Sequence, residues 1–109
     1  MKILCLCERG NSRSVALAWL LKDGLNLDAI AAGVKAMGND TKHMLCKWAD
    51  KIILVQEELK EFVPEEYWDK MVIWEVGRDR FFRGFEQDLL NQYKEYMKKE
   101  GWEITRPDM

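Results

Sequence analysis

The stretch KILCLCERGNSRSVALAWLLKDG, residues 2–24, decides the fold of this chain of 109 residues. Its first part, Lys2–Leu6, is an apolar run without helical spacing, and a glycine and an asparagine follow it closely. Such a run predicts a buried β-strand that enters a loop. From Ser12 or Arg13 to Asp23, apolar residues recur at steps of three and four, which predicts a helix. The stretch is therefore expected to form a strand, a loop and a helix in succession.

The same alternation continues along the rest of the chain. Three further apolar runs predict strands: Leu27–Gly33, Lys51–Val55 and Met71–Trp74. Helical spacing predicts three more helical segments: one that Thr41 caps and that ends near Asp50, a short one through Leu59 and Phe62, and a last one from Phe85 to Gly101. Gly24 stands where a helix C′ glycine belongs. Loops are expected at Val34–Asp40 and Glu75–Gly84, and a surface tail at Trp102–Met109. The pattern predicts an α/β fold, a parallel sheet with helices on both faces.

Length and composition narrow the classes of protein to consider. A chain of 109 residues, 48% of them hydrophobic, is expected to form a single domain, residues 1–109, that needs no disulfide or metal for stability. Seventeen basic and nineteen acidic residues give a net charge of −2, which argues against a nucleic-acid partner. No stretch approaches the roughly 18 apolar residues of a membrane span, so no membrane partner is expected. Three cysteines and one histidine predict no disulfide framework and no metal site, and free thiols suit the cytoplasm.

The loop between the first strand and the first helix carries the residues with chemical potential. Five residues separate Cys7 from Arg13, and a loop of this length can turn several backbone N–H groups towards one centre. The helix N-terminus adds its positive dipole, so the loop is expected to bind a phosphate-sized oxyanion and to stabilise a thiolate at Cys7. Arg13 is placed to hold two phosphate oxygens, and Ser14 to donate a hydrogen bond to the sulfur.

Residues 3–21 resemble the N-terminal signature of the low-molecular-weight protein tyrosine phosphatase family, in which a Cys-x5-Arg-Ser loop opens the chain. Ala31-Ala32-Gly33 is similar to the family's Ser-Ala-Gly on its second strand, and WADKIILV, residues 48–55, resembles the entry to its third strand. The resemblance covers most of the chain. It implies a three-layer αβα fold with a four-stranded parallel sheet in the flavodoxin-like order 2-1-3-4, and a phosphate-binding loop after strand 1.

The resemblance also implies an activity. It is that of a cysteine-dependent, metal-independent protein tyrosine phosphatase without a cofactor, which hydrolyses phosphomonoesters through a phosphocysteine intermediate on Cys7. The partners it implies are a phosphotyrosine protein or aryl phosphate substrate and a phosphate ligand. Asp79, just before the last helix, takes the place of the family's general acid and base. The remaining residues expected to contact substrate lie in the two loops: Glu8, Arg9, Gly10, Asn11, Ser12, Arg80, Phe81 and Phe82.

The chain departs from the family pattern at several places. Gly10 and Asn11 are the third and fourth residues between the cysteine and the arginine, whereas the family usually has glycine and asparagine second and third. Ser12 stands where some members have a second loop cysteine, and Arg80 replaces the proline that follows the acid. Five of the six arginines nevertheless fall in the two loops, so a local positive mouth for a phosphorylated substrate is expected.

Other activities are compatible with a cysteine in such a loop. A phosphocysteine carrier like the IIB proteins of the sugar phosphotransferase system has a similar fold, but it needs neither Arg13 nor Asp79. An arsenate reductase would need additional redox-active cysteines, which Cys46 alone does not supply. Cys5 is expected to be a core residue, with a redox partner of Cys7 as the alternative. A phosphate-binding module of weak activity also remains open.

Overall fold

Strand β1, Lys2–Cys7, lies in the middle of the sheet because both of its faces are apolar and buried. In the computed structural model, which describes residues 1–78 and 86–104, β1 pairs in parallel with a strand on each side. These are β2, Asp28–Gly33, and β3, Lys51–Leu54; β3 pairs in turn with β4, Met71–Ile73. The order β2-β1-β3-β4 with all strands parallel confirms the predicted sheet.

Helices cover both faces of this sheet. The described part of the chain has three α-helices: α1, Arg13–Trp19; α2, Asn39–Trp48; and α3, Gln87–Lys99. Alternate residues of β1 point to opposite faces, so Ile3 and Cys5 pack with α1 and α3, whereas Leu4 and Leu6 pack with α2. Two apolar cores result, one on each face, and the predicted three-layer αβα arrangement is confirmed. No helix within the described residues combines the length and apolarity that crossing a membrane requires.

Several predicted element boundaries are wrong. Helix α2 begins at Asn39, because the Lys42 N–H already donates to the Gly38 carbonyl at 3.0 Å; Thr41 lies inside the helix and does not cap it. The short helix through Leu59 is a 3₁₀ helix, Glu57–Phe62, and a second 3₁₀ helix, Glu65–Lys70, follows it. Strands β1 to β4 differ from prediction by about one residue at their ends, the usual spread of pattern-based boundaries.

The predictions for Gly24 and for the chain after α3 also need correction. Residues Leu20–Gly24 continue α1 as a π-helical turn, and the left-handed residue is Asn26, with φ of 56°. Gly24 packs against the Ile104 side chain, from which a Cβ there would lie 2.7 Å. Trp102 and Ile104 are half-buried against the α1/α3 core, so these residues do not form a surface tail.

Candidate active site

Cys7 lies at the carboxyl end of β1, where the chain leaves the sheet between β2 and β3. The strand order reverses here, and such switch points are the favoured ligand sites of parallel sheets. The Cys7 Sγ accepts a hydrogen bond from the Gly10 N–H at 3.1 Å, and the Ser14 Oγ lies 3.1 Å from the same sulfur. The sulfur therefore has two donors that can stabilise negative charge on it. Ser14 occupies the position predicted for it.

The loop after Cys7 approaches the end of β2 so closely that two glycines are required. Gly10 has φ of 77°, which favours glycine, and a Cβ on it would lie 2.6 Å from the Gly33 nitrogen. A Cβ on Gly33 would lie 2.2 Å from the carbonyl carbon of Arg9. The contact is held by the Val34 N–H, which donates to the Cys7 carbonyl at 2.9 Å. Residues Ala31-Ala32-Gly33, identified from the sequence, thus shape the loop from the neighbouring strand.

Replacing Gly33 by alanine is expected to move this loop and to disable it. Because the added Cβ meets backbone atoms, the strand or the loop must shift, at a cost of about 1–3 kcal/mol in the free energy of unfolding. Denaturant unfolding measures that cost, and isothermal titration with phosphate measures the loss of binding. Gly38→Ala is the matched control, since nothing lies within 4 Å of a Cβ there. Equal stability and equal phosphate affinity in the two variants would contradict the role given to Gly33.

Arg13, the first residue of α1, is fully buried, and two of its donor atoms lack a partner in the part of the chain that the structure describes. Its Nη1 donates to the Gln56 Oε1 at 2.8 Å and to the Gly77 carbonyl at 2.6 Å. Its Nε and Nη2 have no hydrogen-bond partner among the described residues. A buried donor without a partner costs about 1–3 kcal/mol, so two of them on one guanidinium indicate a group that an anion completes. Nε and Nη2 form the edge that binds two oxygens of a phosphate.

The frame around Arg13 includes residues that the sequence analysis missed. Gln56 is 8% exposed and lies two residues after the end of β3, at the same edge of the sheet as Cys7. The Glu75 carboxylate accepts hydrogen bonds from the Gly77 N–H and the Glu57 N–H, both at 2.7 Å, and so links the two segments that flank the guanidinium. Gln56 is the first polar residue after a buried strand, and applying the rule that ligands bind at carboxyl strand ends to β3 as well as β1 would have found it.

The other loop residues that were predicted to contact substrate differ in their exposure and in their contacts. Glu8 forms an ion pair with Lys35 at 2.8 Å, and this contact lowers the pKa of the Glu8 carboxyl. Arg9 and Asn11 are exposed, and Ser12 is half-buried just before α1. Their roles in substrate binding stay predictions.

The predicted acid loop lies outside the described residues. This applies to four residues with a predicted role at the site: Asp79, Arg80, Phe81 and Phe82. The first described segment ends at Arg78, the residue before Asp79. Gly77, whose carbonyl accepts from Arg13, is two residues from Asp79 in sequence. The assignment of Asp79 as general acid stays a prediction.

The two other cysteines are packing residues. Cys5 is fully buried, and burial together with the nearby Cys7 sulfur raises the pKa of its thiol. It lies within a regular strand that pairs on both sides, so the strand geometry holds its sulfur apart from that of Cys7. Cys46 is also buried, which raises the pKa of its thiol. Within residues 1–78 and 86–104, no group of three or more His, Cys, Asp or Glu side chains could hold a metal ion.

Comparison with proteins of known structure identifies others that share this fold. No family model and no curated protein matches the chain in sequence. The tyrosine phosphatase AmsI from Erwinia amylovora matches with a TM-score of 0.70 and 18% identity, covering 96% of this chain and 93% of that one. Wzb from Vibrio vulnificus, in complex with benzylphosphonate, has a TM-score of 0.68 and 17% identity over 90% of this chain and 97% of its own. The YwlE arginine phosphatase from Geobacillus stearothermophilus has a TM-score of 0.69 and 17% identity over 92% of each chain. The chain therefore shares the fold of tyrosine and arginine phosphatases, and the fold that the sequence resemblance implied is confirmed.

Proposed function

We propose that residues 1–109 act as a single phosphatase domain that hydrolyses phosphomonoesters through a phosphocysteine on Cys7. The observation that carries this proposal is the fully buried Arg13 guanidinium, whose Nε and Nη2 lack partners among the described residues. Arg13 and Ser14 are adjacent at the start of α1, and the Ser14 Oγ contacts the Cys7 sulfur. A bidentate anion donor thus precedes directly, in the chain, the residue that contacts the proposed nucleophile. The fold shared with known phosphatases supports the same conclusion.

The first step transfers the phosphoryl group to the sulfur. The Cys7 thiolate attacks phosphorus, the S–P bond forms, and the bond from phosphorus to the leaving oxygen breaks. The equatorial oxygens of the phosphoryl group gain negative charge, which Arg13 and the loop amides stabilise. Gln56 and Gly77 hold Nη1, so the guanidinium needs no reorientation when the substrate binds. A variant of a YwlE arginine phosphatase that carries a phosphorylated active-site serine supports a phosphoenzyme intermediate.

The second step hydrolyses the phosphocysteine. We assign Asp79 to donate a proton to the leaving oxygen in the first step and to take a proton from water in the second. The water oxygen attacks phosphorus, the S–P bond breaks, and the electron pair of that bond returns to the sulfur. The Ser14 Oγ and the Gly10 N–H, each 3.1 Å from Sγ, stabilise the thiolate as it leaves. Inorganic phosphate is the product.

We propose aryl phosphates, foremost phosphotyrosine in a protein, as the substrate class. Phe81 and Phe82 are assigned to wall the pocket for the aromatic ring. AmsI is described as a tyrosine phosphatase, and the Vibrio vulnificus Wzb structure holds benzylphosphonate, an aromatic phosphonate. The phosphocysteine carrier is not favoured, because it has no need of Arg13 and leaves the burial of that guanidinium unexplained. The arsenate reductase is not favoured, because it needs further redox-active cysteines, whereas Cys5 and Cys46 are buried.

Turnover of para-nitrophenyl phosphate by the purified chain tests the proposal. With EDTA present and at mildly acidic pH, we expect steady release of para-nitrophenol that vanadate inhibits. A carrier would instead give a stable phosphoprotein that needs a donor protein, without turnover. No release of nitrophenol above the uncatalysed rate would contradict the proposed function.

Replacing Asp79 by alanine is expected to slow the reaction most where the leaving group is poor. General acid catalysis contributes about 10²–10⁴-fold, so hydrolysis of phenyl phosphate should lose about that factor and para-nitrophenyl phosphate much less. Initial rates with both substrates measure the difference, and Asp69→Ala, at an exposed position elsewhere, is the control for the loss of a carboxylate. If Asp79→Ala hydrolyses phenyl phosphate at the wild-type rate, the acid is another residue.

A further inference from the structure

A cleft of about 980 Å³ opens beside the Cys7 loop. Glu8 of that loop lines it, as does Gln56, whose side chain accepts a hydrogen bond from Arg13. The rest of the described wall comes from Lys35, the 3₁₀ helix Glu57–Phe62, Trp68 and Arg78. Its volume is at the upper end of the roughly 300–1,000 Å³ typical of small-ligand pockets, and far exceeds what a phosphate group needs. The cleft therefore has room for residues on either side of a phosphorylated side chain.

Acidic side chains outnumber basic ones among the described residues that line this cleft. Among residues 1–78 and 86–104, four glutamates line it against two lysines and one arginine. Glu8 forms its ion pair with Lys35, and the Glu58 carboxylate lies 3.9 Å from the Arg78 guanidinium. Lys60 lies over the Trp68 ring, with its Nζ 4.5 Å from the ring centroid. These contacts leave two glutamates of the 3₁₀ helix, Glu57 and Glu61, without a cation among the described residues.

We propose that this cleft binds the polypeptide segment that flanks the phosphorylated residue, and that Glu57 and Glu61 select a lysine or arginine in that segment. The proposal rests on the proposed function, because it needs the phosphate to be held at Arg13. Gln56 joins the two sites: its side chain contacts Arg13, and its backbone continues directly into Glu57. A substrate anchored at Arg13 would therefore bring its neighbouring residues along the acidic 3₁₀ helix.

The apolar part of the wall fits the same partner. Phe62 and Trp68 line the cleft, and each already packs with a lysine of this chain: the Lys35 Nζ lies 5.2 Å from the Phe62 ring centroid and the Lys60 Nζ 4.5 Å from that of Trp68. The long methylene stems of lysine and arginine pack on such surfaces while their charged ends reach a carboxylate. A glutamate in the same place would meet Glu57 and Glu61 and be repelled. We therefore expect the cleft to recognise a phosphorylated polypeptide with basic residues near the phosphate, and not only a small aryl phosphate.

Two phosphotyrosine peptides test the proposal, one with lysine on both sides of the phosphotyrosine and one with glutamate. We expect kcat/KM to be about tenfold higher for the lysine peptide at low ionic strength, with the ratio shrinking as salt screens the exposed charges. In Glu57→Lys/Glu61→Lys the ratio should fall below one. Glu65→Lys/Asp69→Lys makes the same change in net charge at two residues of the second 3₁₀ helix that do not line the cleft, and should keep the wild-type ratio.

The outcomes separate this proposal from the proposed function. If para-nitrophenyl phosphate is hydrolysed but the two peptides react equally, or neither reacts, the cleft does not select a basic segment and this inference is wrong. If the control variant changes the ratio as much as Glu57→Lys/Glu61→Lys, the effect is one of net charge and the inference is also wrong. If para-nitrophenyl phosphate itself is not hydrolysed, the proposed function fails, and fluorescence polarisation of the labelled peptides on the Cys7→Ser variant still measures the preference.

Discussion

The Cys7→Ser variant is expected to lose turnover of para-nitrophenyl phosphate by about 10⁴-fold or more, because a serine hydroxyl is a far weaker nucleophile than a thiolate. The two donors at this position, the Gly10 N–H and the Ser14 Oγ, stabilise a sulfur anion and supply no base that would activate a hydroxyl. Steady-state kinetics measures the loss. Rates within about tenfold of wild type would show that Cys7 is not the nucleophile.

The same variant should still bind phosphate, since Arg13 and the loop amides are unchanged. A ligand at ten times its Kd adds about 1.4 kcal/mol to the stability of the native state, which for a domain of this size raises Tm by about 5–10 °C. Thermal unfolding with and without phosphate measures this shift. Cys46→Ala is the control for the loss of a buried thiol elsewhere in the core, and it should keep its activity.

The Arg13→Lys variant is expected to lose about 10²–10³-fold in kcat/KM and most of the phosphate-induced rise in Tm. A lysine keeps the positive charge, but its single ammonium cannot contact Gln56 and Gly77 and also offer two donors to an anion. In Arg13 those two donors are Nε and Nη2, which no described residue contacts. The loss of one preorganised donor to a transition-state oxyanion costs about that factor in rate. Kinetics and thermal unfolding of the same preparation measure both effects.

Arg106→Lys is the control for this exchange, because Arg106 is the one arginine that lies in neither of the two loops. If Arg13→Lys keeps both wild-type activity and the wild-type response to phosphate, a positive charge at this position is sufficient for both, and the two parallel donors of the guanidinium have no role. If it keeps the response to phosphate but loses activity, Arg13 acts on the transition state and adds little to ground-state binding.

Much of the architecture was predictable because local patterns determine it. The apolar run before Cys7 and the helical spacing after Arg13 indicate a strand, a loop and a helix without reference to any other part of the chain. Alternation of strands and helices then restricts the sheet to a parallel one. Errors occurred where local patterns are weak. One example is the 3₁₀ geometry around Leu59, and another is Trp102, which packs beside Trp74 with ring centroids 6.1 Å apart.

The contacts that complete the candidate site were less predictable, because they join residues far apart in sequence. Gln56 reaches Arg13 across 43 positions and Gly77 across 64. Tyr93 of α3 donates from its hydroxyl to the Arg13 carbonyl at 2.8 Å, across 80 positions. No local spacing records such pairs. The Gln56 contact follows from the order of the strands, which places the carboxyl ends of β1 and β3 side by side; the other two depend on how the segment after β4 and helix α3 pack against α1.

The sequence by itself determined the type of fold and the loop of the proposed nucleophile, since periodicity and the spacing of Cys7, Arg13 and Ser14 are local properties of the chain. Only the tertiary structure decided that Arg13 is buried with two donor atoms that no described residue contacts, that Gly33 shapes the loop from β2, and that a cleft lies beside the site. The physical reason is that burial and close approach depend on which distant segments pack together. Packing is a property of the whole fold.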